Sequence, residues 1–464
     1  MEFSSSLLNG KRYAILGLGK NGVAVAERLL SMGGLIQIWD DLPLKRKAIS
    51  KKLQPYLSPL NNLESFDALI LSPGIPHQLP SPHPVAQHAI AINLPILSDA
   101  ELLFRAVRAS GSNAVFVSIT GTNGKSTTTV LLTHLLNQAG IQSVAGGNLG
   151  PAALALPLLG DKGVYVLEMS SYMLERLDTY KANISCLLNI TPDHLERHGT
   201  MHHYINAKRH VFDRQNQQDL AIISIDDPLC ANIATDLIYN RQTNVQTFSI
   251  NQDKCNFYIQ NAIIKYKKHY IANLNQAKSL PGAHNAQNAL AASAIAYRLG
   301  LTSEQIQIGL NSFEGLDHRQ KPVATIRSIT FVNDSKATNA DAAAKALSCY
   351  PKIVWIAGGL AKAGDIKSLV PYFPQIELAL LIGKDAQILA QTLESHSVRF
   401  RIVKTLDKAV QQAYSFALTN KINTVLLSPA CASFDQFKNF EERGELFTQL
   451  VNNLSKKVLQ HQII

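Results

Sequence analysis

A chain of 464 residues, 46% hydrophobic and 17% charged, is too long for one core and too apolar for disorder, so about three compact domains are expected. Its five cysteines, Cys186, Cys230, Cys255, Cys349 and Cys431, are scattered without a C-x-x-C pair, which argues against a disulfide framework or a zinc ribbon. A formal charge of +10 without a long basic tract favours small anionic ligands over nucleic acid, and the lack of a leader or a long apolar run predicts a cytoplasmic protein with no membrane partner.

In chain order, the apolar strand Tyr13–Leu16 runs into Gly17-Leu18-Gly19-Lys20-Asn21-Gly22, a helix follows through Leu30, and a second strand, Leu35–Trp39, ends at Asp40-Asp41. This G-x-G-x-x-G loop with an acid about 20 residues on suits a diphosphate at a helix start and a ribose near the acid. NAD and another nucleoside diphosphate fit it equally. The strand Ala68–Leu71 ends in the tight turn Ser72-Pro73-Gly74-Ile75-Pro76, where ligand could meet backbone. The Pro- and His-rich segment His77 to Pro95 reads as a surface loop and short helix, with His77, His83 and His88 solvated, and Ala109 to Asn113 reads as a linker.

The strongest local pattern comes next. An apolar run (Val115, Phe116, Val117, Ile119) ends in Gly121-Thr122-Asn123-Gly124-Lys125-Ser126-Thr127, and a helix with Leu131, Leu132, Leu135 and Leu136 on one stripe follows. Strand, glycine loop and helix in this order cradle a polyphosphate, with Lys125 reaching the outer phosphates and Ser126 a Mg²⁺ ligand. Ile119 stands where the general P-loop has its first glycine, so this loop is a shortened form. A glycine-rich turn spans Val144 to Gly150, and the strand Val164–Leu167 delivers Glu168 at its carboxyl end, where an acid faces Mg²⁺ directly or through water. The strand Ile184–Leu188 leads to Asn189-Ile190-Thr191-Pro192-Asp193-His194. His194 to His198 reads His-Leu-Glu-Arg-His; the glutamate is one place late for a zinc protease, and His194 suits either a Mg²⁺ ligand or a proton acceptor. Spacing alone makes Lys208 an ordinary surface lysine. Residues 220 to 275 read as short strands and polar turns, and an alanine-rich helix from Gly282 to Leu299 puts Asn285 and Asn288 on one face, suited to an adenine edge, with Asn285 as a helix cap fitting equally.

After Asp317-His318-Arg319 the strand Thr330–Val332 ends in Asn333-Asp334-Ser335-Lys336-Ala337-Thr338-Asn339. Val354–Gly359 leads to Lys362, Leu378–Gly383 is a further strand, and Thr424–Leu427 ends in Ser428-Pro429-Ala430-Cys431-Ala432-Ser433. Polar groups at carboxyl strand ends mark a ligand site, and Thr338, Lys362 and Ser433 suit a carboxylate. Cys431 lacks a paired base and reads as a packed thiol. The fold class is therefore α/β with three doubly wound domains: a Rossmann-like 1–112, a P-loop ATPase-like 113–315 and a Rossmann-like 316–464.

The motifs GTNGKSTTT at 121–129, LEMSSYMLE at 167–175, NITPDHLERH at 189–198, GAHNAQNALAA at 282–292, NDSKATN at 333–339 and SPACASFDQFKNFEERG at 428–444 together resemble the Mur ligases, over nearly the whole chain. The last two resemble the D-glutamate-adding branch. The resemblance implies an ATP-dependent ligase that joins D-glutamate to UDP-N-acetylmuramoyl-L-alanine through an acyl phosphate, with two Mg²⁺, acting as a monomer in peptidoglycan precursor synthesis. It implies UDP, not NAD, in the first domain, with Gly19, Asp40, Gly74 and Asn148 as contacts to the UDP-linked substrate. It further implies Lys125, Ser126, Glu168 and His194 at the phosphate and Mg²⁺, Asn285, Arg319 and Asp334 at ATP, and Thr338, Lys362, Ser433 and Phe440 at D-glutamate. Lys208 is implied as a carbamylated lysine helping to hold a second Mg²⁺. Leu360-Ala361 departs from the family's usual Asp-Gly before Lys362. Ligands at the strand ends of three domains imply closure around the acyl phosphate.

Overall fold

Strands apolar on both faces, such as Ala68–Leu71, are buried only in sheets covered by helices on both sides. The computed structural model, which describes residues 1–361 and 366–460, arranges such strands in three sheets. The first holds β1 (Arg12–Leu16), β2 (Leu35–Trp39), β3 (Ala68–Leu71) and β4 (Ile96–Leu97) in the parallel order β2-β1-β3-β4. Strand order reverses at β1 and β3, so the loops Gly17–Gly22 and Ser72–Ile75 meet at the carboxyl edge, the usual place for a ligand.

The second sheet comprises β5 (Val115–Thr120), β6 (Ser143–Gly147), β7 (Val164–Glu168), β8 (Ile184–Leu187), β9 (Leu220–Ser224), β10 (Asn244–Ser249), β11 (Phe257–Gln260), β12 (Ile263–Tyr266) and β13 (His269–Asn273). Its order is β13-β12-β11-β10-β9-β8-β5-β7-β6, with β11 to β13 an antiparallel meander on an otherwise parallel sheet. The third sheet, β14 (Lys321–Ile326), β15 (Ile329–Asn333), β16 (Ile353–Gly358), β17 (Ile376–Ile382), β18 (Phe400–Lys404) and β19 (Thr424–Leu427), runs β14-β15-β19-β16-β17-β18, with β14 antiparallel.

The three sheets group into two compact units, one of residues 1–276 and 285–311, the other of 277–284 and 312–464. The first two sheets share a unit because one apolar cluster runs through both, from Ile15, Val25 and Leu29 to Leu103, Phe116, Tyr165 and Leu187. Polar pins reinforce it. Glu101, on the helix Asp99–Ala109, has no exposed surface; its carboxylate accepts from Asp178 N (2.8 Å), Thr179 N (2.9 Å), Thr179 Oγ1 (2.6 Å), Tyr180 N (2.9 Å) and Arg105 Nε (2.6 Å). These donors outweigh burial and hold its pKa below the ordinary glutamate value.

Two local expectations fail. Within 220 to 275, Pro228–Tyr239 is a helix, begun by Asp227, whose carboxylate accepts from Cys230 N at 3.0 Å, and by Pro228 in the first turn. The histidines of 77 to 95 are not simply solvated: His83 caps the helix Pro84–Ala91 and lies 2.8 Å from Asp41, and His77 is buried at 5% exposure.

Candidate active site

In the first unit the site grows from the β5 loop. Gly124 has φ +85°, and an added Cβ would come within 2.2 Å of Asn288 Oδ1, so only glycine fits the turn into the helix Lys125–Gln138. Asn189, after β8, pins the loop: its Oδ1 accepts from Asn123 N at 2.8 Å, its carbonyl from Thr122 N at 2.9 Å, and its Nδ2 donates to Asn123 O at 3.1 Å. The amides of Thr122 and Asn123 thus set the loop's shape, and the helix N-terminus beyond them, where Ser126 is buried, is the end of the loop whose backbone N–H groups can meet an anion. Lys125 Nζ donates to the carbonyls of Gly121 and Thr122, both at 2.9 Å.

Lys208 is not the surface lysine that spacing suggests. It is 1% exposed on the helix Met201–Arg209, donates to Gly121 O at 2.8 Å and lies 4.6 Å from the centre of the Tyr204 ring. Burial, with the Lys125 cation adding to it, pushes its pKa well below the ordinary lysine value, against the opposing pull of Asp193 and Glu168. Glu168 ends β7 at 2% exposure; Asn148 Nδ2 donates to its Oε1 at 2.7 Å, while Oε2 is buried with no hydrogen-bond partner in the structure. An orphaned carboxylate oxygen calls for a cation. Among the described residues no group of three or more His, Cys, Asp or Glu could hold a metal ion; a Mg²⁺ at Glu168 would complete its shell with water and phosphate oxygens. His194 stands at φ +53° before the short helix Leu195–His198, with Asp193 and Glu196 each 3.6 Å away and its ring 5.3 Å from that of Tyr172.

Asn285 is the third residue of the helix Ala283–Arg298, not its cap. Its Oδ1 accepts from Asn288 Nδ2 at 3.3 Å, and Asn288 Oδ1 accepts from Thr128 Oγ1 at 3.4 Å, which ties this amide pair to the glycine loop.

At the first sheet, Gly17 (φ +99°) and Gly22 are demanded by packing: a Cβ would come 2.4 Å from Ser72 Oγ at the former and 1.9 Å from Gly17 O at the latter. At Gly19 and Gly74 an added Cβ would meet nothing within 4 Å, so these loops are open at those two points. Asp40 braces the loop, accepting from Leu18 N at 2.7 Å and Leu42 N at 2.9 Å.

In the second unit Asp334 is buried after β15, accepting from Ser428 Oγ at 2.7 Å and Gln320 N at 3.2 Å; burial raises its pKa to about 7, with Ser428, Gln320 and Arg319 pulling the other way. Thr338 follows in the same loop, half-buried, and Ser433 is buried after the neighbouring β19. The Phe440 ring lies 3.8 Å from Lys336 Nζ, and its carbonyl accepts from Ser335 Oγ at 2.8 Å. Lys362 lies outside the described residues.

Sequence reasoning missed Arg443, though the last motif contains it. Its buried guanidinium donates to Ser335 Oγ (2.9 Å), Ser335 O (2.8 Å) and Cys431 O (3.1 Å), fixing the loops after β15 and β19, and burial lowers its pKa to about 10, so it stays cationic at neutral pH. Arg443→Met is expected to lower the stability of this unit by about 3 kcal/mol through the orphaned carbonyls; urea unfolding that matches wild type would refute that role.

The Mur ligase middle domain matches residues 119–296 and the Mur ligase glutamate ligase domain matches 318–431. The UDP-N-acetylmuramoylalanine–D-glutamate ligase of Paramagnetospirillum magneticum is 45% identical over 454 residues, covering 97% of this chain and 98% of the relative. That of Caulobacter vibrioides NA1000 is 42% identical over 454 residues, 96% of each. Among solved structures, the UDP-N-acetylmuramate-alanine ligase of Thermotoga maritima shares the fold at a TM-score of 0.59 and 18% identity, over 96% of this chain and 99% of the other. With kinship of this extent over nearly its whole length, the chain belongs to the Mur ligases, in the family of UDP-N-acetylmuramoylalanine–D-glutamate ligases.

Proposed function

We propose that the chain is an ADP-forming ligase that joins D-glutamate to UDP-N-acetylmuramoyl-L-alanine in peptidoglycan precursor synthesis, as a cytoplasmic monomer. Near-full-length identity to D-glutamate ligases carries this reading. A carboxylate resists amine attack because its leaving group would be oxide. Its oxygen therefore attacks the γ-phosphorus of ATP, ADP leaves, and the amine of D-glutamate attacks the resulting acyl phosphate, forming the amide and expelling phosphate.

Gly121, Thr122, Asn123, Gly124, Lys125, Ser126 and Thr127 form the phosphate cradle, and Asn285, Arg319 and Asp334 serve the remainder of ATP. Ser126, Glu168, His194 and a carbamylated Lys208 would hold two Mg²⁺, whose bound charge would neutralise phosphate oxygens. Gly19 and Gly74, open above their loops, accept the UDP-linked substrate, with Asp40 shaping the first loop and Asn148 reaching both this substrate and Glu168. Thr338, Lys362, Ser433 and Phe440 serve D-glutamate, and the buried Arg443 cation favours a dicarboxylate there. His194 also stands ready to take a proton from the amine, although service to Mg²⁺ competes with that role.

With ¹⁸O in the substrate carboxylate, one labelled oxygen is expected in the released phosphate, and ADP release is expected with D-glutamate but not at equal rate with L-glutamate. Unlabelled phosphate would eliminate the acyl phosphate.

A further inference from the structure

A buried cluster beside the first two sheets takes no part in the chemistry above. His77 Nδ1 accepts from two guanidinium groups, Arg176 Nε at 3.3 Å and Arg197 Nη2 at 3.4 Å. All three side chains are buried, at 5%, 3% and 8% exposure. Arg197 also pairs with Glu175 Oε2 at 3.4 Å, and its Nε has no hydrogen-bond partner in the structure. Gathering two guanidinium groups out of water is costly even with Glu175 beside Arg197 and Asp99 acting on Arg176, and apolar side chains would pack the space at less cost. Such an arrangement calls for a geometric role.

The contacts of Arg176 show that role. One guanidinium takes the carbonyls of Leu71 (3.0 Å), Ser72 (3.4 Å) and Ile75 (2.5 Å), the backbone of the turn that carries Gly74. Ser72 Oγ donates to Gly17 O at 3.0 Å, so the hold extends to the Gly17–Gly22 loop. A cavity beneath that loop is lined by Asn21, Gly22, Ser72, Asp99 and Arg176. At the other end, Arg176 lies eight positions past Glu168 and Arg197 three past His194. Arg197 also sits over the ring of Tyr172, 5.5 Å from its centre, the same ring that lies 5.3 Å from that of His194.

We propose that His77, Arg176 and Arg197 form a latch that positions the Ser72–Ile75 turn for the UDP-linked substrate, relative to the strand ends of the second sheet. This rests on the substrate assignment above. His77 is the piece that lets two like charges meet, since a neutral imidazole offers Nδ1 to both. Burial first, then Arg176, lowers its pKa to about 4, so it stays neutral at physiological pH.

The test compares wild type, His77→Leu, His77→Asn and Arg176→Lys by steady-state kinetics and by calorimetric titration with UDP-N-acetylmuramoyl-L-alanine. In His77→Leu, with no acceptor, the KM and Kd for that substrate are expected to rise about tenfold or more, with the KM for ATP and for D-glutamate within about twofold. His77→Asn, which restores an acceptor oxygen near the Nδ1 position, should recover most of the loss. Arg176→Lys keeps the charge but cannot span three carbonyls and His77 together; it should show the same substrate-selective loss even where His77→Leu fails to fold. Unchanged affinity in Arg176→Lys, equal rises in all three KM values, or no recovery in His77→Asn would each overturn the latch. Lack of wild-type turnover would instead overturn the substrate assignment.

Discussion

Replacing Lys125 by alanine is expected to lower kcat by about 10³-fold with the fold intact, a loss on the scale of removing one preorganised charge from a transition state. The ammonium group sits where the β5 loop meets its helix, fixed between the carbonyls of Gly121 and Thr122. Phosphoryl transfer spreads negative charge over the equatorial oxygens, and a cation already in place stabilises it without reorganising. Lys208 is the nearest candidate substitute, but it is bound to Gly121 O and its low proton affinity makes it a poor stand-in for a fixed charge. Single-turnover measurement of ADP formation should place the loss in the phosphoryl step; a normal burst followed by slow turnover would remove Lys125 from that step.

Lys208→Ala is expected to lose on the order of 10²-fold in turnover or more, as removal of a metal-holding group does. Carbamate formation needs a neutral amine: R–NH₂ and CO₂ give R–NH–COO⁻ and a proton. Burial beside Lys125 favours that neutral form, and the product is an anion next to a cation, a reversal of the local charge balance. In ¹³C-bicarbonate the wild-type protein should show a carbamate carbon by NMR that Lys208→Ala lacks, and wild-type activity should fall reversibly in CO₂-depleted buffer. Because Lys125 is one cause of the low proton affinity of Lys208, losses at the two sites should be less than additive. An unaltered rate in Lys208→Ala would remove the carbamate.

The strand–glycine loop–helix units were legible in the chain because their signals are local. β-branched runs, glycines at turns and apolar stripes fix β1, β3, β5, β7, β8, β15 and β19, and with them the placement of Gly19, Gly124, Glu168 and Asp334. Long-range burial was not legible. His77 looks like a surface residue because nothing local marks it for the interior, whereas the charge of Lys208 obscured its place in line with Tyr204, Val211 and Phe212; Tyr204 and Gly121 meet the one, and Arg176 and Arg197 the other. Arg443 stands in a charged stretch, Phe440-Glu441-Glu442-Arg443, that reads as a solvated helix start, and only the folded chain turns its side chain inward. The helix at 228–239 carried a readable Asp-Pro start, which the apolar runs around it obscured.

The buried carboxylate of Glu101 bears on how the molecule can be divided. Cutting the chain at residue 112, just past the helix Asp99–Ala109, would strip this carboxylate of the three amides and one hydroxyl that residues 178 to 180 supply and uncover the apolar face that packs on the second sheet. The first sheet is therefore no portable module. In descent or in the laboratory, it is exchangeable only together with the segment that solvates this one acid.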